Sequence, residues 1–580
     1  MNFFLASSLA AAVLRIAAPF GALEIEETSF PARDFSVAAF GAKPDGTKCT
    51  EAFARAMAAC EAAGGGRVVV PKGEWVTGAV HFRSNCDLHL EEGARLVFTD
   101  DPADYPEVFT TWEGVECYNH SPLIYALGCT NIAITGKGTI APKMALWRDV
   151  WSHRPPAHMA ATEALYFWCS TNAPMESRRL LALKDSHMRP HLIQFNRCRN
   201  TLLEGFRIRE SPFWMIHLYH SENCIVRNLD TYAHGHNNDG VDVDMTKNVL
   251  IENCRFNQGD DGIVLKAGRN ADGWRLARST ENVVVRDCDL VSSHSLLGIG
   301  SELSGGVRNV WMTRCRVAAT FNMLRIKTGP RRGGFVENIW LDHCEAQTVK
   351  GVFSIFTQYS AQWGAFPDFE LRRTKIRNIN ISDCTCGLAR VAVNLAGDWR
   401  EPARDITIRN VKVGEVLEKL TDISGCVGVR IEGLELAIPD PVFRLPRIVP
   451  FGLLDRVAAR SPGYAAAVAF LRRDDVRSLP CGTYPLEGGA TAEIREETLV
   501  PLTESGMKAE ICDGDAVYAV LDDGNCVLTT GAETSTHRIY GDDYNRSLLI
   551  VPAGLEHTCW RTSVNARRAR VCSIRLPRGR

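Results

Sequence analysis

Four short polar clusters hold residue types that can do chemistry. HNNDG carries Asn237 and Asp239, QGDDG carries Asp260 and Asp261, SSHS carries His294, and LRIKTG carries Arg325 and Lys327. Each follows an asparagine that opens a repeated segment. Asp239 comes 16 residues after Asn223, Asp260 and Asp261 come 12 and 13 after Asn248, His294 comes 12 after Asn282, and Arg325 and Lys327 come 16 and 18 after Asn309. Similar phase in neighbouring repeats puts three acids, a histidine and two cations on one face. Crowded carboxylates repel, which raises at least one pKa and suits a general acid working near neutral pH. Glycoside hydrolysis needs such a pair, one carboxyl protonated and one ionised. The alternative is a calcium site, because Asp239, Asp242, Asp244, Asp260 and Asp261 are all oxygen donors. The cations at the same phase argue against it, since they would repel the ion.

The elements that must position these residues are written in an internal repeat. NVLIENC, NVVVRDC, NVWMTRC, NIWLDHC and NINISDC begin at Asn248, Asn282, Asn309, Asn338 and Asn378, and related copies without the cysteine begin at Asn131, Asn200 and Asp405. Each copy reads as a short strand with alternate apolar residues, a bend, and a second strand. One copy cannot bury its own apolar side, whereas stacked copies can. The pattern therefore predicts an all-β solenoid, a parallel β-helix. Cys254, Cys288, Cys315, Cys344 and Cys384 all lie six residues after the repeat asparagine, so they are expected as an inward ladder of reduced thiols. The asparagines themselves are expected as a turn ladder. Ahead of the solenoid, a helix from about Thr50 to Ala63 and a glycine-rich turn into a strand form an N-terminal cap.

Composition bounds the rest. With 66 Lys and Arg against 68 Asp and Glu in 580 residues, no bulk charge points to nucleic acid or to a membrane surface. An anionic substrate must be met by local cations. Residues 1–22 are apolar and alanine-rich, and read either as a signal peptide or as an ordinary packed segment. No stretch is long enough for a membrane span. A secreted or periplasmic location follows from the first reading and a cytoplasmic one from the second.

From about Asp34 to Leu436, the motifs NNDG at Asn237, GDDG at Gly259, HSLLGIGSELSGG from His294 and RIKT at Arg325 resemble those of the polygalacturonase-type pectin hydrolases, glycoside hydrolase family 28, in the family's order. The resemblance implies a right-handed parallel β-helix of the pectin-lyase-like kind, an inverting mechanism, no cofactor or metal, and α-1,4-linked galacturonic acid in pectin or oligogalacturonides as substrate. It implies Asp260 as general acid, Asp239 and Asp261 as the pair that activates water, and His294 as support for the acid. Arg325 and Lys327 would hold the substrate carboxylate, Asn237 would fix the base side, and Tyr359 in FTQYS would be the tyrosine beyond RIKT. Inversion calls for about 6.5–9.5 Å between acid and base. The sequence departs from the family at Asn238, where threonine is common, and at Ser293 and Ser295, which flank His294 in place of glycines. Trp214 and His217 either contact sugar or pack between coils.

The repeat fades after Leu436. Residues 437–451 are proline-rich and read as a linker, and 452–580 as a small β-rich module. That module resembles a cupin-like bacterial family described as β-galactosidase subunit beta, with His557 as the one positional match to its metal-binding histidines, which implies an accessory or oligomerising part. The sequence leaves oligomeric state open. Rival functions are a β-helical lyase, a rhamnogalacturonan hydrolase and a non-catalytic polysaccharide-binding solenoid. The insertion Pro142 to Met188 would close one end of a cleft and favour exo attack.

Overall fold

The computed structural model describes residues 12–359 and 371–436 without a break, and strands and short segments between 442 and 575. The chain divides into two compact units, 1–413 with 421–435, and 414–420 with 436–580.

The first unit is a right-handed parallel β-helix whose strands recur in threes. Ile193–Asn196, Ile216–Tyr219, Val241–Asp244 and Ile263–Lys266 pair in parallel from coil to coil. Arg199–Glu204, Glu222–Arg227, Lys247–Glu252, Thr280–Arg286 and Val307–Thr313 form a second stack. The third runs through Asp230–Ala233 and Arg255–Gln258 into Asp289–Ile299, Arg316–Lys327, Glu345–Phe356 and Thr385–Ala396. In these later coils the bend between third and first stacks is gone, and one long strand serves both.

Both ladders are present. Asn248, Asn282, Asn309, Asn338 and Asn378 adopt the left-handed conformation, with φ between 54° and 58°, which asparagine tolerates. Each side-chain amide donates to the asparagine one coil earlier at 2.7–3.1 Å. The five ladder cysteines are buried free thiols, with Cys288 between Cys254 and Cys315, and Cys344 between Cys315 and Cys384. The helix Thr50–Ala62 turns Phe53, Met57 and Cys60 inward and packs on the strands Gly66–Val70 and Cys86–Leu90 of the first coils.

Two coverings lie on the outside of the solenoid. An antiparallel hairpin, Val13–Ala18 with Gly21–Glu26, buries Ile16, Leu23 and Ile25 against Ala133, Leu202, Ile225, Leu250 and Val284 of the second stack. The apolar N-terminal stretch thus enters the packed body from Val13 onward, and residues 1–11 lie outside the described residues. The second covering joins the hairpin Glu107–Trp112 and Val115–His120 to the helices Ala145–His153, Pro156–Ser170 and Asn270–Leu276. Trp112, Leu165, Tyr166, Leu180, Phe213 and Trp214 form its apolar centre.

The second unit contains an antiparallel four-stranded meander, Glu510–Asp513, Ala516–Val520, Asn525–Thr530 and Glu533–Arg538, and a five-stranded sheet. Within the proline-rich stretch 437–451, Val442–Leu445 is a strand paired in parallel with His557–Arg561. That part of the expected linker therefore belongs to the C-terminal sheet. Among the described residues no helix is long and apolar enough to cross a membrane.

Candidate active site

The acids sit where the third stack bends into the first. Asp239 lies between the strands Asp230–Ala233 and Val241–Asp244, and Asp260 and Asp261 lie at the same bend one coil later. The glycines of both motifs allow the coils to close. A Cβ at Gly240 would collide with the Gly262 carbonyl, and one at Gly262 would meet Leu290 at 2.5 Å. A register shift between Phe256 and Asn257 precedes the GDDG turn, the kind of irregularity that re-aims the side chains following it.

One carboxylate oxygen from each of Asp239, Asp260 and Asp261 lies within 4.8 Å of the other two. The wider 6.5–9.5 Å gap expected for inversion is not found. The reason is the coil repeat: strands of successive coils stack about 4.8 Å apart, and Asp239 stands one coil from Asp260 and Asp261. Three such oxygens could hold a cation, but lysines supply positive charge there. Lys327 Nζ donates to Asp261 Oδ2 at 2.8 Å, and Lys266 Nζ lies 3.6 Å from Asp239 Oδ2.

The three acids differ in exposure and protonation. The Asp260 side chain is 21% exposed, against 4% for Asp239 and 0% for Asp261, so Asp260 alone opens to the groove. His294 Nδ1 lies 2.9 Å from Asp260 Oδ1, and the Asp261 backbone N–H donates to the same oxygen at 2.9 Å. Burial works to raise the Asp260 pKa, but the charge and hydrogen bond of His294, with Lys327 and Lys266 behind, outweigh it and hold the carboxyl below the ordinary range. Asp261 is likewise held down, burial being overcome chiefly by Lys327. Asp239 goes the other way: burial, then the Asp260 charge, push it well above the ordinary range, and its Oδ1 has no partner. Burial and the neighbouring charges thus favour protonation of Asp239 over Asp260.

The other expected residues fall around this cluster. Asn237 accepts through Oδ1 from Arg189 Nη2 at 2.9 Å, and Arg189 also donates to the His236 carbonyl at 2.7 Å. Arg325, half-buried, stands near Asp261 and Lys327 and makes no hydrogen bond or ion pair among the described residues. Lys327, expected on substrate, is committed to Asp261, and Tyr359 lies near it. The departures from the family motifs gain roles. Asn238 Nδ2 donates to the Ser211 carbonyl at 2.7 Å and pins the bend, and Ser295 Oγ donates to Asp261 Oδ1 at 2.6 Å. Trp214 and His217 are fully buried and pack between coils.

The residue that sequence reasoning missed is Lys266. Its buried ammonium touches Asp239, Asp242 and Glu302 at 3.5–3.6 Å and lies 4.2 Å above the Trp214 ring. Burial opposes its charge, but Asp239, Glu302 and Asp242 together raise its pKa well above normal. Its signal was available: Lys266 follows Asn248 by 18 residues, as Lys327 follows Asn309. Beside Asn237, a shallow recess is lined by Trp112, Trp151, Arg154, His158, Arg189 and His236 among others. Trp151 and His158 come from the helical insertion, so this end of the groove is walled.

The family model described as Glycosyl hydrolases family 28 matches residues 60–430. A probable polygalacturonase of Vitis vinifera is 27% identical over 429 residues, covering 70% of this chain and 80% of the relative. An exo-poly-alpha-D-galacturonosidase of Dickeya chrysanthemi is 26% identical over 328 residues, about half (52%) of each chain. Among solved structures, a hyperthermoactive exopolygalacturonase from Thermotoga maritima superposes with a TM-score of 0.63 at 36% identity, covering 70% of this chain and 94% of that one.

Proposed function

The chain belongs to glycosyl hydrolase family 28, and from that premise we propose that it hydrolyses α-1,4-linked galacturonic acid in pectic polymers or oligomers, attacking from a chain end. The observation that carries the reading is the compact acid cluster with Arg325 unengaged beside it. A terminal sugar seated in the walled recess would put its glycosidic bond over Asp260, with the next sugar's carboxylate at Arg325. Arginine can take a carboxylate bidentately. That carboxylate adds negative charge near Asp260 and raises its pKa, which draws the proton from Asp239 one coil away.

Asp260 then gives its proton to the leaving glycosidic oxygen as the C1–O bond breaks. Asp261, kept ionised by Lys327 and Ser295, takes a proton from the water that attacks C1. Asp239 serves as the proton store of the pair, and Asn237, fixed by Arg189, borders the recess. Tyr359 stands beside Lys327 as a sugar contact. No step needs a metal. Pectin lies outside cells, which supports a secreted or periplasmic enzyme.

Product analysis on polygalacturonate tests this. Galacturonate alone as the early product supports exo attack, and a ladder of oligomers refutes it. An unsaturated, ultraviolet-absorbing product would move the assignment to a lyase. A second reading has a specific support: carboxyl groups this close are typical of double displacement with retention. Proton NMR of the first-formed anomer decides, with the β-anomer expected for single displacement.

A further inference from the structure

Glu302 takes no part in the chemistry proposed above, yet three buried cations converge on it. It ends the stretch HSLLGIGSE and is itself buried. Its Oε1 accepts from Arg269 Nη2 and from the Ser301 hydroxyl, both at 2.8 Å, with Arg332 Nη2 at 3.5 Å. Its Oε2 accepts from Lys266 Nζ at 3.5 Å. The Glu302 backbone carbonyl accepts from the Ala267 N–H at 2.6 Å, which fixes the chain beside Lys266. The tip of the hairpin 107–120 closes over this carboxylate. Gly114 comes so near that a Cβ there would meet Glu302 Cβ and Cγ at 3.0 Å. Next to it, Glu113 Oε2 accepts from Arg269 Nη2 at 2.9 Å and from the Tyr166 hydroxyl, and the Glu113 carbonyl accepts from Arg269 Nε at 3.0 Å. Glu113 also lines the recess. A relay of alternating charge thus runs from the recess wall to the acids, through Glu113, Arg269, Glu302, Lys266 and Asp239.

We propose that Glu302 is a positioning residue of the hydrolase, which holds the Lys266 ammonium between itself and Asp239 and ties it through Arg269 to Glu113 in the recess wall. Lys266 Nζ is shared almost evenly, 3.5 Å from Glu302 and 3.6 Å from both Asp239 and Asp242. Without Glu302 the ammonium would close on the two aspartates. Burial opposes charge on Glu302, but Arg269, Lys266 and Arg332 hold its carboxyl below the ordinary range, so the anchor stays anionic. Held back in this way, Lys266 stabilises the charge left on Asp239 once its proton passes to Asp260, without stripping that proton beforehand. The other charged groups facing Asp239 are Asp260 and Asp261, with Lys327 beyond them. Those facing Lys266 include Asp244 and His217, which burial keeps neutral. None of these is hydrogen-bonded to Glu302, so an exchange there reaches Asp239 chiefly through Lys266. The proposal rests on the reading of Asp239 as proton store.

Profiles of kcat against pH for the full chain on trigalacturonate test it, with Glu302→Gln, Lys266→Met and the rescue variant Glu302→Asp. Activity needs the Asp239 proton, so kcat falls as pH rises through the Asp239 pKa. Glu302→Gln lets Lys266 close on Asp239 and lowers that pKa, which should bring the alkaline limb down by about 1 pH unit, the scale of one nearby charge. Lys266→Met should move the same limb up. Glu302→Asp keeps the anion and should return the limb most of the way, and KM should stay within about twofold throughout the Glu302 pair. If Glu302→Gln does not fold, Glu113→Gln at the outer end of the relay replaces it. That variant leaves Arg269 wholly to Glu302, loosens Lys266 toward Asp239, and should lower the limb by a smaller amount. A uniform fall in kcat with the limb in place would reduce Glu302 to a structural part and overturn the proposal. Limbs that move in the same direction in Glu302→Gln and Lys266→Met would overturn it too. A wild-type chain inactive on every oligogalacturonide would remove the functional reading beneath it, and the proposal with it.

Discussion

The strands Ile216–Tyr219, Val241–Asp244 and Ile263–Lys266 have two faces, and both are buried. On one, Ile216, Leu218, Val241, Val243, Ile263 and Leu265 are fully excluded from solvent; on the other, His217, Tyr219, Asp242, Asp244 and Lys266 are excluded almost as completely. The first face is the generic interior of a stacked solenoid, made by strand alternation alone. The second is polar and ionisable and would be a solvated surface on an uncovered β-helix. It is buried because the hairpin 107–120 and the three helices lie over it. Burying charge is costly unless it is paired, and the pairing is incomplete: both Asp242 oxygens and Asp239 Oδ1 lack hydrogen bonds. The apolar face sets how well the chain folds. The covered polar face sets where protons reside.

The sharpest test of that division acts on the acids. Asp260→Asn keeps the shape but cannot donate as a carboxylic acid, so kcat should fall by at least about 10²–10⁴-fold with an unchanged thermal melt. Near-full activity would take the acid role away from Asp260. Lys266→Met comes next. Removing one partner of a buried ion network typically costs about 3–5 kcal/mol, and Asp239, Asp242 and Glu302 would lose their shared cation. Lower Tm should come with an activity optimum displaced in pH, since the Asp239 proton would be held still more tightly. Leu265→Ala, the neighbour on the apolar face, should lower stability by about 2–5 kcal/mol and leave the pH profile in place. If both variants shift the profile alike, the two faces are not functionally distinct.

A smaller effect is expected from the outer covering. Removing residues 1–22 deletes the strand Val13–Ala18 and uncovers the apolar column from Ala133 to Val284. Fully burying one aliphatic side chain is worth about 1.5–3 kcal/mol. Tm should therefore fall by several degrees while kcat on oligogalacturonides stays within about twofold. An unchanged Tm would show that the hairpin contributes nothing.

What could be read in the sequence was whatever the repeat makes periodic. The asparagine and cysteine ladders, the cap helix, and the gathering of Asp239, Asp260, Asp261, His294 and Lys327 all follow from phase along one chain direction. The contacts that phase cannot express were missed. Arg189 reaches Asn237 from 48 residues away, and the cover that buries Asp242 and Asp244 comes from segments before and after them in sequence. Those two aspartates entered only as oxygen donors of a calcium alternative, because nothing local says that a helix lies above them. The departures Asn238 and Ser295 looked like disturbances of the site, yet each supplies a hydrogen bond that a shorter or differently shaped side chain would not.

Asp244 offers the finest separation of the two faces. It is buried, its Oδ1 accepts from the Gly268 N–H at 2.9 Å, and His217 Nε2 lies 3.3 Å from Oδ2. Gln194 donates to Thr111 and to His217 Nδ1 through its amide nitrogen, so the His217 proton is assigned to Nε2 and points at Asp244. Burial, partly offset by the Gly268 hydrogen bond and Lys266, raises this carboxyl to about 7. A folded pKa above the unfolded value near 3.9 means that the folded state binds the extra proton. The contribution is fully present below about pH 4 and is lost as pH rises to about 7. Asp244→Asn removes the titrating proton but sets an amide against the His217 N–H, a mismatch of about 1–3 kcal/mol. The variant should therefore melt lower at every pH, yet lose less between pH 5 and 8 than the wild type does. The slope of Tm against pH is the reading that matters. An unchanged slope with a uniform drop would mean that Asp244 is ionised throughout, and that the covered face stores its protons only at Asp239 and Asp242.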